Sequence, residues 1–217
     1  MTRLYSCLRG GLAVLLLAML AVEPALAHHP MGGKTPATLI EGLLSGVGHP
    51  VIGLDHLAFI VAVGLAGALA GTPLLVAAAF IVGTLAGAGL HLASITLPAA
   101  ELVISASVLL LGLVVMLRKT LALPVLTGLV ALAGVFHGSA YAEAIFGAEA
   151  TPLAAYLAGF AVTQFVIAAG TAFAARQLAA GSNGFAMAPR FAGAMVAGIG
   201  VALVAEKLKA VIFPGVA

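Results

Sequence analysis

The sequence predicts an all-α protein: a polytopic membrane helix bundle with six transmembrane helices after a cleaved signal peptide. Three observations predict it. Only nine Lys or Arg and seven Asp or Glu occur among 217 residues, where a soluble domain of this length carries about 54 charged residues. Hydrophobic residues make up 63% of the chain and the mean hydropathy is +1.24. Apolar residues gather in runs close to the roughly 20 needed to cross a ~30 Å hydrocarbon layer as a helix. So few charges cannot cover a soluble globule, and so apolar a chain is not disordered. The net charge of +2 gives no reason to expect nucleic acid. Cys7 is the single cysteine, which excludes an internal disulfide and a thiolate metal cluster.

Residues 1–27 read as a secretory signal. Arg3 and Arg9 form a basic start, Gly11 to Val22 an apolar core, and Ala25-Leu26-Ala27 an A-x-A cleavage site. Residues 28–217 then form the mature membrane domain, beginning at His28 outside the cytoplasm. Residues 36–48 read as a short interfacial helix. Six spans follow, at about 50–70, 74–97, 99–117, 121–146, 152–175 and 190–213. Twenty-residue apolar runs are helices, not barrel strands, because a lone strand leaves its backbone unsatisfied in lipid. Gly71-Thr72-Pro73, Leu97-Pro98, Arg118-Lys119, Thr151-Pro152 and the segment around Gly181-Ser182-Asn183-Gly184 separate them. With the mature N-terminus outside, the loops carrying Arg118, Lys119 and Arg176 face the cytoplasm, as the positive-inside rule asks. The expected location is the cytoplasmic (inner) membrane.

That topology places the intramembrane ionisable groups. His49, Asp55 and His56 fall in the outer half of span 1, His91 near the outer end of span 2, and Glu101 at the start of span 3. His137 and Glu143 fall in the outer half of span 4. Scattered core histidines would not segregate to one half of the bilayer; a site open to the outside would. Such residues are functional candidates by default, because a charge at membrane depth is expensive. Imidazole with carboxylate suits nickel, cobalt, zinc, iron or manganese. The same groups also suit a proton relay.

His49, Asp55, His56, His137 and Glu143 are the expected metal-binding residues. His49 and His56 are seven apart, about 10.5 Å of rise on a straight helix, too far to share an ion. Either the chain unwinds around Pro50 and Gly53, or the two act at successive points of a path. His28 and His29, at the expected mature terminus, and His91 and Glu101 are accessory metal candidates. Glu101 reads rather more as a carboxylate at a helix N-terminus than as a ligand, and Glu206 with Lys207 and Lys209 reads as an interfacial charge cluster. Tyr141, Thr163 and Gln164 are expected to line a path. Thr84 and Thr127 are the visible polar groups of the inner half. No prosthetic cofactor is expected, and no G-x-x-x-x-G-K-[ST] loop for ATP is present.

At HPVIGLDH (49–56) and FHGSAYAE (136–143) the sequence resembles the HupE/UreJ family of nickel/cobalt permeases. The family's first motif is His, five residues, then Asp-His, which His49, Asp55 and His56 match. In the second, Phe136, His137, Gly138, Ala140 and Glu143 match, while Ala142 stands where the family has Gly. HHPMGGKTP after a signal peptide, and six spans, are similar too. The resemblance implies secondary transport of nickel or cobalt, with the first motif essential, and no enzymatic reaction. The lipid bilayer is one partner; metalloenzyme-maturation proteins or a second copy of the chain are further candidates. The alternatives are an intramembrane zinc-dependent hydrolase, using histidines, an Asp and Ser139, and a metal-binding accessory or sensor membrane protein.

Overall fold

The computed structural model describes residues 34–180 and 187–212. The expected signal peptide, His28 and His29 lie outside these residues. Among the described residues there are seven helices and no strand: α1 (Leu39–Ile52), α2 (Leu54–Leu69), α3 (Pro73–Leu92), α4 (Ala100–Met116), α5 (Leu123–Glu143), α6 (Ala150–Ala180) and α7 (Ala188–Ile212).

α1 begins on a capping box. The Thr38 hydroxyl accepts the Glu41 N–H at 3.2 Å, and the Glu41 carboxylate accepts the Ala37 and Thr38 N–H groups at 2.8 and 3.2 Å. These bonds satisfy amides that a helix start leaves without partners. α1 does not stop at residue 48 as an interfacial helix, and no separate span starts at 50. It runs through Pro50, which lies inside its last turns, to Ile52. The chain breaks at Gly53, whose backbone is extended (φ −71°, ψ 107°), and α2 leaves at 76° to α1. Pro50 has no N–H to offer the carbonyl one turn back, which weakens the end of α1.

Three helices, α3, α5 and α6, are long and apolar enough to cross a membrane, and the bent pair α1–α2 makes a fourth if it is one span. α4 is apolar but has 17 residues. α3 ends at Leu92, short of the expected 97, where Ser94 and Ala99 turn with positive φ. Large apolar side chains face outward, among them Leu110, Leu129, Val166, Phe173 and Val201. This is the face a membrane protein shows to lipid.

α3 packs on α5, α4 on α7 and α1 on α6, while α2 touches α3, α4, α6 and α7. Glycines let these backbones meet. Gly83 and Gly87 of α3 abut the Ala131 and Val135 carbonyls of α5, and Gly138 of α5 abuts that of Thr84. Gly42 and Gly46 of α1 abut the carbonyls of Pro152 and Tyr156 on α6. Small residues at such contacts replace the hydrophobic drive that lipid removes. At one end of the bundle, Arg176 donates to the Gly71 carbonyl at 3.0 Å and Arg190 to the Met116 carbonyl at 3.3 Å.

Candidate metal centre

The break at Gly53 shortens the separation that a straight helix would impose. His49 closes α1, His56 opens α2, and their ring centroids are 5.6 Å apart. Metal–nitrogen bonds of ~2 Å place two imidazoles on one ion with centroids roughly 5 Å apart. Of the two arrangements the spacing allowed, the broken one is found, and the break is at Gly53. A Cβ there would sit 2.7 Å from His56 Cδ2 and 3.1 Å from Asp55 Oδ1. A larger residue there would have to displace the His56 ring, since the φ itself is one any residue adopts.

His137 of α5 lies on the other side of His56, with ring centroids 5.1 Å apart. Its Nδ1 is 2.8 Å from His56 Nδ1, and its ring stacks on Phe59 at 4.5 Å. His49, His56 and His137 are at most 1% exposed. Asp55 sits in the first turn of α2, and its Oδ1 accepts the His56 N–H at 2.8 Å. A carboxylate there is favoured by the amide dipoles of the helix start. The Asp55 charge reaches His137 and Tyr141.

Two residues absent from the expected site belong to it. The Tyr156 hydroxyl of α6 is 2.7 Å from His49 Nδ1 and donates to the Tyr141 carbonyl at 2.6 Å. The Ser107 hydroxyl of α4 is 3.0 Å from His137 Nε2 and donates to the Ile104 carbonyl at 2.6 Å. The sequence held a faint signal for both: Tyr156 is one of only three tyrosines, and Ser107 interrupts an apolar run. Ser45, one turn before His49 on α1, is also buried.

Of the expected path residues, Tyr141 lies against His56 (4.2 Å) and His49 (4.9 Å) and stacks on Phe160. Gln164 is buried, accepts a hydrogen bond from Thr84 at 3.1 Å and interacts with the Tyr141 side chain, short of full hydrogen-bond geometry. Thr163 is half-buried.

The structure does not bring the remaining candidates into this cluster. Glu143 is the last residue of α5 and is exposed. His91 is half-buried, 3.5 Å from the Ser139 hydroxyl and edge-on to Phe146. Glu101 forms an ion pair with Lys207 at 2.8 Å, with Glu206 3.8 Å from the same ammonium. Glu101 and Glu206 thus form one charge cluster at the ends of α4 and α7. Among the described residues, no three His, Cys, Asp or Glu side chains are grouped so as to hold a metal ion as they stand. The His137 imidazole is turned nitrogen-to-nitrogen onto His56.

The chain matches the family described as HupE / UreJ protein over residues 15–203. It belongs to the HupE/UreJ family. It is 35% identical over 156 residues to the Protein HupE of Rhizobium leguminosarum bv. viciae, covering 70% of this chain and 76% of that one. No solved structure matches it. Both motifs that carried the resemblance, His49 to His56 and Phe136 to Glu143, fall inside the matched residues.

Proposed function

We propose that this HupE/UreJ protein is a secondary transporter. It takes up a divalent transition-metal ion, nickel or cobalt, across the cytoplasmic membrane through a His/carboxylate site in the outer half of the bundle. The observation that carries this reading is the break at Gly53. It brings the two buried imidazoles at the ends of one eight-residue motif to a centroid separation of 5.6 Å, with the Asp55 carboxylate on the His56 N–H. Buried polar groups at membrane depth are costly, and a discontinuous helix is a recurrent way of building a transport site there.

In this reading α1–α2 is one broken span, α4 and α7 cross beside α3, α5 and α6, and residues 1–27 are removed. The arginine end of the bundle faces the cytoplasm. His49, Asp55 and His56 meet the ion, His137 supports them, and Glu143, His91 and Glu101 lie nearer the outer surface on its approach. Tyr141, Gln164 and Thr84 continue the polar groups past the histidines.

Uptake of radioactive nickel and cobalt in cells lacking other importers tests the reading. The wild-type chain is expected to accumulate one or both ions. His56→Ala is expected to abolish accumulation at unchanged membrane expression, and wild-type uptake by that variant would overturn the assignment.

A further inference from the structure

The two imidazoles that flank Gly53 are each held from behind, and the holding chain ends both times on a backbone carbonyl. A hydroxyl has one proton to donate, and a neutral imidazole carries one N–H and one bare nitrogen. The Tyr156 proton goes to the Tyr141 carbonyl at 2.6 Å. Towards His49 the phenol oxygen therefore offers a lone pair, and the 2.7 Å contact requires the proton on His49 Nδ1.

The second chain is longer by one ring. The Ser107 proton goes to the Ile104 carbonyl at 2.6 Å, so the 3.0 Å contact to His137 requires the proton on His137 Nε2. Neutral His137 then has a bare Nδ1. That nitrogen lies 2.8 Å from His56 Nδ1, which must supply the proton. Both chains thus deliver the same result: an N–H at Nδ1 and a lone pair at Nε2, on His49 and on His56 alike.

We infer that Tyr156, and Ser107 acting through His137, are positioning residues that lock His49 and His56 in the Nδ1–H tautomer. A divalent transition-metal ion is then bound through Nε2 of both rings. The inference deepens the transport reading and rests on it. It assigns His137 to orienting His56 and gives the ion two Nε2 atoms, with Asp55 as the neighbouring carboxylate. A hydrogen bond from the far ring nitrogen to an oxygen or carboxylate fixes tautomer and ring direction in metal sites generally, and losing it lowers affinity by about 10–100-fold.

The test uses the full chain in lipid nanodiscs with 15N-labelled histidine, at about pH 8, above the ordinary imidazole range. Ring nitrogen resonances report the tautomer directly. His49 and His56 are expected as Nδ1–H, and zinc, a diamagnetic probe, is expected to shift their Nε2 signals and no nitrogen of His137. Calorimetry with nickel is expected to show binding weakened about 10–100-fold in Tyr156→Phe and Ser107→Ala, with Ser107→Thr restoring it. Each loss should accompany a mixed tautomer at His49 or His56 respectively.

An Nε2–H form of either ring in the wild type, zinc shifts at a His137 nitrogen, or full nickel affinity in Tyr156→Phe would overturn the inference. Should Tyr156→Phe not fold, the wild-type spectra and the Ser107 pair decide it. A wild-type chain that binds neither ion overturns the transport reading and this one together. A chain that transports nickel but binds it through Nδ1 overturns only the positioning role.

Discussion

Around Gly53 the bundle is polar, and further along α2 it is apolar. Helices α2, α4 and α5 contribute to both layers. In the first, His49, His56, His137, Tyr141, Tyr156 and Ser107 are linked by short hydrogen bonds and ring contacts drawn from α1, α2, α4, α5 and α6. In the second, Phe59, Ile60, Val63, Phe80, Val108, Leu111, Val130 and Val196 pack with almost nothing to hydrogen-bond. The Thr84 hydroxyl lies within hydrogen-bond distance of both the Ile81 carbonyl and the Gln164 side-chain oxygen, and its one proton serves either. A buried polar group without a partner costs about 1–3 kcal/mol. Most groups admitted to the polar layer have another beside them, while the Tyr141 hydroxyl, the Gln164 amide nitrogen and the Ser45 hydroxyl form no full hydrogen bond. The apolar layer is held by volume alone. The comparison teaches that changes in the first layer should alter binding more than stability, and changes in the second the reverse.

Three substitutions probe that division. Gly53→Ala should have the largest effect on uptake. Its Cβ would press on His56 Cδ2 at 2.7 Å, turning the ring off its support and lowering uptake at least about 10-fold. Stability should change little, because the backbone there suits alanine. A normal uptake rate in Gly53→Ala would show that the break tolerates displacement. Phe59→Ala comes next, since Phe59 touches both layers, stacking on His137 and meeting Phe80 at 5.3 Å. Removing a buried Phe costs about 3–5 kcal/mol, to be read from denaturant unfolding in detergent. If uptake vanished while stability held, Phe59 would belong with the polar layer instead. The smallest effect is expected for Lys207→Gln. Its ion pair with Glu101 is largely exposed, Glu101 by 70%, and is worth about 0–1 kcal/mol. Uptake should stay near wild type. A severe loss would mean that the Lys207 charge, which reaches Asp55, acts on the site.

Much of this was legible in the sequence. Charge scarcity and run lengths gave the helices, and the seven-residue spacing of His49 and His56 allowed either a break or two successive points on a path. The spacing also left the position of a break open. Pro50 is the stronger helix breaker by reputation, yet near a helix end it is tolerated, and the chain parts at Gly53. Tyr156 and Ser107 were hidden for a different reason. α6 and α4 carry only scattered polar residues in long apolar runs, so the face that turns inward is weakly marked, and hydrogen bonds between helices depend on rotation and register. Glu143 illustrates the same gap from the other side. Six residues from His137, it leaves by another face of α5 and ends exposed.

The bend at Gly53 also has a mechanical meaning. His49 rides on α1, which is anchored to α6, while His56 rides on α2, which is packed among α3, α4, α6 and α7. The two imidazoles therefore belong to the arms of a lever whose fulcrum is one residue. His49 lies four residues, about 6 Å, from that fulcrum, so a 5° swing would shift it by roughly 0.5 Å. That is several times the difference in bond length that separates one transition metal from another. The gap between the rings is thus governed by an angle, and at the far end of α1 the same swing would travel about 2 Å.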